Sequence, residues 1–247
     1  MHASVQLRAA RSAVETWDAD SGLLVERREL HAGSRIDLAL APYESRVLVM
    51  MDGLEKDSAP EATPFGGRQI ADLSSGWQLQ FPGDRVQPLE SLTSWTELAG
   101  KKFYSGEGIY TRTVALDNEP NGRFWLDFGA GEPATDPRPP GSNGIRALLD
   151  PPIREAAVVY VNGERAGALW HPPYRIDVSR LAHRGENHFE VRVYNTAINL
   201  LAGQPPRNYA ALRARYGHRF DPQDMDNLQP VPSGLFGPIH LMEEPDR

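Results

Sequence analysis

Between residues 185 and 194 apolar and polar side chains alternate, with Phe189, Val191 and Val193 on one face of an extended chain and His188, Glu190, Arg192 and Tyr194 on the other. A period of two marks a strand with one buried and one wetted face, as in an antiparallel sheet. Trp77, Leu79 and Phe81 repeat the pattern, as do Phe124, Leu126 and Phe128, with Trp125 and Asp127 opposite. The β-branched run Val158 to Val161 meets Asn162-Gly163, which predicts a two-residue hairpin turn and a partner strand reaching Trp170. Pro172-Pro173 then breaks the ladder, because proline has no N–H to donate. An extended stretch, Tyr174 to Val178, leads to the turn Arg184-Gly185-Glu186-Asn187. Ile109 to Leu116 and Pro238 to Met242 complete the strands predicted in this half of the chain, and 82–95 reads as a loop.

Residues 12–51 predict four short strands: 12–17, 23–30, 35–40 with Ile36, Leu38 and Leu40 alternating, and 46–51. The edge left by this small set must be covered by the second domain, by the hydrophilic N-terminal residues or by another copy of the chain. The stretch 52–70 is charged and rich in Pro and Gly, the composition of a linker. One good helical stripe stands out, 208–216, with Asn208 as N-cap, Tyr209, Leu212 and Tyr216 on one side and Gly217 just past the end. A long insertion, 129–152, precedes the hairpin, and loops of that length are usually functional or disordered.

With 22 Gly and 21 Pro and few helical stripes, the chain reads as all-β. Its 26 basic and 33 acidic residues give a net charge of −7, and no basic cluster offers a nucleic acid its phosphate contacts. The absence of cysteine excludes disulfides, thiolate catalysis and Cys-type zinc sites. No apolar run approaches the ~18 residues of a membrane helix, and the first residues lack the layout of a secretory signal. The expectation is a soluble chain of unknown address, periplasmic or secreted only if a longer parent carries a signal.

Several motifs occur together in order: V-N-G at 161–163, Trp170 to Tyr174, and G-E-N-H-F-E-V at 185–191, with S-G-W-Q-L-Q-F at 75–81, F-Y-S-G-E-G-I-Y-T-R-T-V at 103–114 and V-P-S-G-L-F-G-P-I-H-L at 231–241. They resemble the jelly-roll "sugar-binding" domain of family 2 glycoside hydrolases and, more closely, that of the family 106 α-L-rhamnosidases. The resemblance covers roughly residues 70–241. It implies a galactose-binding-like jelly roll over 71–247, a linker at 59–70 and, before it, the terminal strands of a partial β-sandwich over 1–58. The catalytic barrel of such enzymes would lie upstream, and 247 residues leave no room for one of ~250 plus the sandwich. The chain is therefore expected to be the C-terminal end of a rhamnosidase-like protein or a free-standing relative of that end. Reading the DNA upstream of Met1 would decide between the two.

Sugars are held by aromatic faces against their C–H patches and by planar polar side chains that bond pairs of hydroxyls. Trp170, His171, Tyr174 and Arg175 offer both in a proline-stiffened loop, and Tyr194, Asn195 and Asn199 follow the next strand. The competing reading puts Trp170 and Tyr174 in the core and pairs Arg175 with a surface carboxylate. Trp77 and Trp95 are expected in the core. Glycoside hydrolysis needs two carboxyls ~5–9.5 Å apart. Asp127, Glu132 and Asp136 are weak candidates marked only by position, and solvated loop residues are the plainer reading. In the enzymes resembled, the catalytic carboxylates come from the barrel, so none carries over. There is no G-x-S-x-G elbow and no H-x-x-x-H pair on a helix, so neither a serine triad nor a transition metal is expected.

No cofactor is expected. Galactose-binding jelly rolls often hold a structural Ca2+, for which Asp221 to Asn227 is oxygen-rich but lacks the order of an EF-hand loop. The leading function is a non-catalytic, carbohydrate-associated module that supports or extends the groove of a rhamnosidase-like enzyme acting on plant or bacterial rhamnosyl glycans. A structural or interaction module docking onto a catalytic chain is the alternative, and a small stand-alone glycosidase a third. No nucleic acid or membrane partner is expected. The exposed sheet edge leaves room for a homo-oligomer.

Overall fold

Alternating strands leave backbone N–H and C=O groups on both sides, and this chain satisfies them by antiparallel pairing throughout its described sheets. The computed structural model describes residues 2–6, 11–19, 24–31, 33–40, 45–53, 67–117, 122–134, 149–205, 208–220 and 228–244. The run Asp221 to Asn227, Asp136 and most of the insertion at 129–152 lie outside the described residues. The chain divides into two compact units, one formed largely by residues 1–67 and the other by 68–170 and 174–247.

The first unit contains β1 (His2–Gln6), β2 (Ala13–Asp18), β3 (Leu24–Glu29), β4 (Arg35–Ala39) and β5 (Arg46–Met51). β2 lies between β3 and β5, and β1 pairs with β4 with Val5 opposite Ile36. Four of these strands follow the predicted runs to within two residues. β1 is not among the predicted strands; its N-terminal residues pair with β4, while β3 and β5 remain edges of their sheet among the described residues. A small core joins Val14, Leu30 and Ile36. Glu15 is buried beside it, its carboxylate accepting from Trp17 Nε1 at 2.9 Å and Arg27 Nε at 2.6 Å, the pairing a buried charge requires.

The second unit contains β6 (Arg68–Asp72), β7 (Trp77–Gln80), β8 (Gln87–Leu89), β9 (Glu107–Leu116), β10 (Arg123–Asp127), β11 (Glu132–Pro133), β12 (Leu149–Asp150), β13 (Ile153–Arg154), β14 (Ala156–Val161), β15 (Glu164–Leu169), β16 (Arg175–Asp177), β17 (Gly185–Tyr194), β18 (Gly234–Leu235) and β19 (His240–Glu244). A six-stranded sheet runs β15-β14-β17-β9-β7-β8 and a four-stranded sheet β16-β10-β19-β6. Their inward faces build one core from Trp77, Leu79, Phe81, Trp95, Tyr110, Val159, Phe189, Val191 and Val193 of the larger sheet and its loops, and Phe124, Leu126, Ile176 and Leu241 of the smaller. This is the all-β fold class expected. Trp77 and Trp95 sit in its core, as their size and position predict.

Three local readings need correction. Residues 68–70, assigned to the linker, begin β6, whose pairing with β19 spans most of the unit's sequence and leaves no local signal. The loop 82–95 contains β8, which pairs with β7 beside the proline at its centre as an edge strand tolerates. The helix predicted at 208–216 begins two residues later, at Ala210, because Asn208 Oδ1 accepts the Ala210 N–H in a local turn. None of its residues is buried, and Leu212 and Tyr216 are each 45% exposed.

The hairpin motif forms as its chemistry dictates. Asn162 and Gly163 take φ of 52° and 84°, the pair of positive values that a two-residue turn between twisted strands demands. Asn162 also does more than turn the chain. Its Oδ1 accepts from His188 N at 2.8 Å, and its Nδ2 donates to Leu181 O at 2.8 Å and Asn187 Oδ1 at 3.0 Å. Asn187, fully buried, closes the turn at 183–187 by bonding both the N–H and the carbonyl of His183. The two asparagines of the motifs thus hold two turns to each other, which is a reason for V-N-G and G-x-N to occur together.

Candidate functional site

β15 ends the six-stranded sheet and β16 opens the four-stranded one, so Trp170 to Tyr174 forms one crossing between them. The crossing separates its two aromatics. Trp170 is 67% exposed, whereas Tyr174 is 6% exposed and belongs to the core, its carbonyl accepting from Phe128 N at 2.8 Å. Tyr174, expected among the sugar contacts, is packed in the core. His171 Nδ1 lies 2.7 Å from the Pro172 carbonyl, which only accepts, so that nitrogen carries the proton.

Arg175 lies on the outward face of β16 with its guanidinium 5.1 Å from the centre of the Trp125 ring. Trp125 was not among the predicted site residues, although its place opposite Phe124 and Leu126 marked it as outward-facing. Its Nε1 is the one buried side-chain polar atom among the described residues without a hydrogen-bond partner. Buried donors are normally satisfied, so the unmatched indole N–H beside the stacked guanidinium is an exception among the described residues. Asp127, directly opposite Arg175 across the β10–β16 pair, accepts from Gly129 N at 2.7 Å.

Asn195 and Asn199, expected near the sugar, bond within the protein. Asn199 is fully buried, with Oδ1 accepting from Val231 N at 2.7 Å and Nδ2 donating to Val231 O at 2.9 Å and Ser233 Oγ at 2.8 Å. Asn195 accepts from Gly106 N at 2.8 Å and donates to Tyr104 O at 2.9 Å and Ser233 Oγ at 3.1 Å. Both amides have spent their donors inside the protein and hold the 104–106 and 231–233 segments together. Trp95 Nε1 donates to Tyr110 Oη at 2.6 Å in the same region, and that oxygen also receives Leu235 N at 3.2 Å. Burial pushes the Tyr110 phenol up to about 12.

Tyr194, 37% exposed, lies on the outer face of the larger sheet and donates to Glu107 Oε1 at 2.7 Å. That bond to a carboxylate, followed by partial burial, raises its phenol to about 12. Of the weak catalytic candidates, Asp127 lies on β10 of the four-stranded sheet and Glu132 is exposed on β11, in a separate two-stranded sheet. Among the described residues no group of three or more His, Cys, Asp or Glu is placed to hold a metal ion. No helix among them is long and apolar enough to cross a membrane.

Comparison with known proteins gives the chain its class. No family model matches. Of curated proteins, one named "Putative beta-glucuronidase" from Formosa agariphila is 29% identical over 140 residues, 53% of this chain and 10% of that protein. Of solved structures, a rhamnosidase from Novosphingobium sp. PP1Y superposes with a TM-score of 0.66 at 25% identity, covering 98% of this chain and 22% of that one. The chain is thus glycoside-hydrolase-like and rich in antiparallel sheet. It spans about a tenth of the curated relative and about a fifth of the rhamnosidase chain.

Proposed function

We propose that this chain is a carbohydrate-associated module of an α-L-rhamnosidase-like glycoside hydrolase, supporting or extending a glycan groove without turning over substrate itself. The observation that carries the reading is the likeness of nearly the whole chain to one stretch of a rhamnosidase at 25% identity. The surface adds to it: an exposed Trp170 and, where the same crossing enters β16, a guanidinium over Trp125 with an unmatched indole N–H. A single stacked sugar gains ~3–5 kcal/mol net, millimolar affinity. Rhamnose and rhamnosyl oligosaccharides titrated into the pure chain and followed by calorimetry should show such binding, with no turnover of aryl α-L-rhamnosides. Sustained turnover abolished by Asp127→Asn or Glu132→Gln would replace the reading with that of a small stand-alone glycosidase.

A second reading has its own support. Phe103, Ile198 and Leu200 are exposed around the 103–105 segment and the short helix Ile198–Ala202, with Leu200 N bonded to Ser105 Oγ at 3.0 Å. An apolar patch of this kind suits a module that docks onto a catalytic chain. Absence of sugar binding, with co-purification of a catalytic chain that Leu200→Glu abolishes, would favour it.

A further inference from the structure

The outer face of the six-stranded sheet carries an ordered strip that neither the crossing at Trp170 nor the core explains. Strand registers place Arg165, Tyr160, Glu190, Thr111 and Gln78 in one row across five strands, β15 to β7. The next row holds Ala168, Val158, Arg192, Ile109 and Gln80, and beyond it stand Ala156, Tyr194 and Glu107. Five strands at ~4.8 Å spacing make a strip roughly 19 Å long.

Its side chains hold one another in place. Arg192 Nε donates to Glu190 Oε1 at 2.6 Å, its Nη1 lies 4.0 Å from Glu107 Oε1, and its guanidinium sits 5.0 Å from the Tyr160 ring centre. Glu107 in turn accepts from Tyr194 at 2.7 Å. Two tyrosine rings, two carboxylates, two guanidiniums, two exposed glutamines and a threonine hydroxyl therefore face outward, and the linked group of Tyr160, Glu190, Arg192, Glu107 and Tyr194 has little freedom left to lose. The charges of Glu107, Glu190, Arg165 and Arg192 sum to zero, and Arg192 already lies between two carboxylates. A polyanion gains nothing here, and the half-buried Val158 and Ile109 give an apolar protein surface little to cover.

The geometry points to a second glycan-binding surface on this face, one that takes an uncharged oligosaccharide laid across the strands. Rings of Tyr160 and Tyr194 would cover C–H faces, while the fixed carboxylates and amides accept and donate to pairs of hydroxyls. The inference rests on the carbohydrate reading above but assigns it a separate site with a separate signature, dependence on chain length. A strip of this length gains contacts with each added sugar, whereas one exposed tryptophan does not.

The test uses the whole chain, titrated with rhamnose, a neutral rhamnose-containing tetrasaccharide and an oligogalacturonide, with backbone amide shifts recorded. The expected result is about tenfold tighter binding of the neutral tetrasaccharide than of rhamnose. Shifts should concentrate at 107–111, 158–160 and 190–194, and the length dependence should vanish in Tyr160→Ala and in Glu190→Gln, with thermal melts confirming that each is folded. Length dependence surviving in both folded variants, or shifts confined to 170–175, would overturn the strip while leaving the carbohydrate reading intact. Preference for the oligogalacturonide would overturn its neutral specificity. Binding of none of the three would overturn strip and carbohydrate reading together.

Discussion

The crossing at Trp170 to Arg175 and the polar cluster around Asn199 draw on the same residue types, tryptophan, tyrosine and planar polar side chains, and use them in opposite ways. In the cluster every polar atom of Asn199 finds a backbone or serine partner, and Trp95 and Tyr110 bond each other in the core. At the crossing Trp170 is 67% exposed, and Trp125 keeps a buried N–H unmatched among the described residues. A residue list suited to sugar binding is equally a list suited to closing a loop. What separates the two is burial, with Asn199 fully enclosed and Trp170 67% exposed, and that decides which substitutions should cost stability and which affinity.

The largest effect is expected where the cluster tolerates no extra atom. A Cβ at Gly108 would lie 2.4 Å from Trp95 Cζ2, and Trp95 is fully buried. Gly108→Ala should cost about 3 kcal/mol or more and lower the Tm by roughly 6–12 °C in a thermal melt. Gly131, whose added Cβ would meet Asp150 O at 2.7 Å, is a useful companion.

Next comes Asn199→Ala, which leaves the Val231 N–H without its partner and its carbonyl with Ser233 Oγ at 3.1 Å. A half-buried N–H left unmatched costs about 1 kcal/mol, read by urea denaturation. Asn195→Ala should cost less, because that side chain is only partly buried. Neither change should alter sugar affinity if both asparagines serve the framework. A loss of sugar affinity at unchanged stability would return Asn199 to the binding surface.

These residues also show what the sequence made legible. Strict alternation placed Trp77, Phe124, Leu126, Phe189, Val191 and Val193 inward, and Asn-Gly fixed its hairpin, because a period of two and a paired positive φ are local properties. β1 and β6 escaped notice because their partners, β4 and β19, are distant in sequence and neither strand alternates strongly. Parity fails at Pro172-Pro173, so no local rule could say that Trp170 would face solvent and Tyr174 the core. The roles of Asn195 and Asn199 depend on Ser233 and Val231, more than 30 residues away. The stacking of Arg175 on Trp125 needed the β10–β16 register, which only the folded sheet supplies.

A smaller effect is expected at high pH. The Tyr110 phenol, raised by burial from 10.0 to about 12, favours its neutral form in the folded chain. A folded value above the unfolded one contributes stability that is complete below pH ~10 and is lost as pH climbs towards 12. Urea midpoints should therefore fall over that window. Tyr110→Phe should start lower, because Trp95 Nε1 and Leu235 N lose an acceptor, but should fall less steeply. An unchanged slope would assign the alkaline loss to other groups, Tyr194 among them.

The smallest stability effect belongs to the crossing, and it sharpens the comparison most. Trp170 is 67% exposed, so Trp170→Ala should change the unfolding free energy by less than ~0.5 kcal/mol. Tyr174→Ala, four residues on and 6% exposed, should lose about 3–5 kcal/mol, as deletion of a buried aromatic does. Sugar affinity should order the pair the other way: Trp170→Ala weakens rhamnose binding about tenfold, the ~1.4 kcal/mol that one lost stacking face represents. Arg175→Ala should weaken it further by removing the guanidinium stacked over the Trp125 ring. Denaturation and calorimetry on the three variants measure both quantities on the same samples. Equal stability loss at Trp170 and Tyr174 would make the whole crossing framework, like the cluster around Asn199. Unchanged rhamnose affinity in both Trp170→Ala and Arg175→Ala would remove the crossing from the glycan surface and leave the outer face of the six-stranded sheet as the remaining place for a sugar to bind.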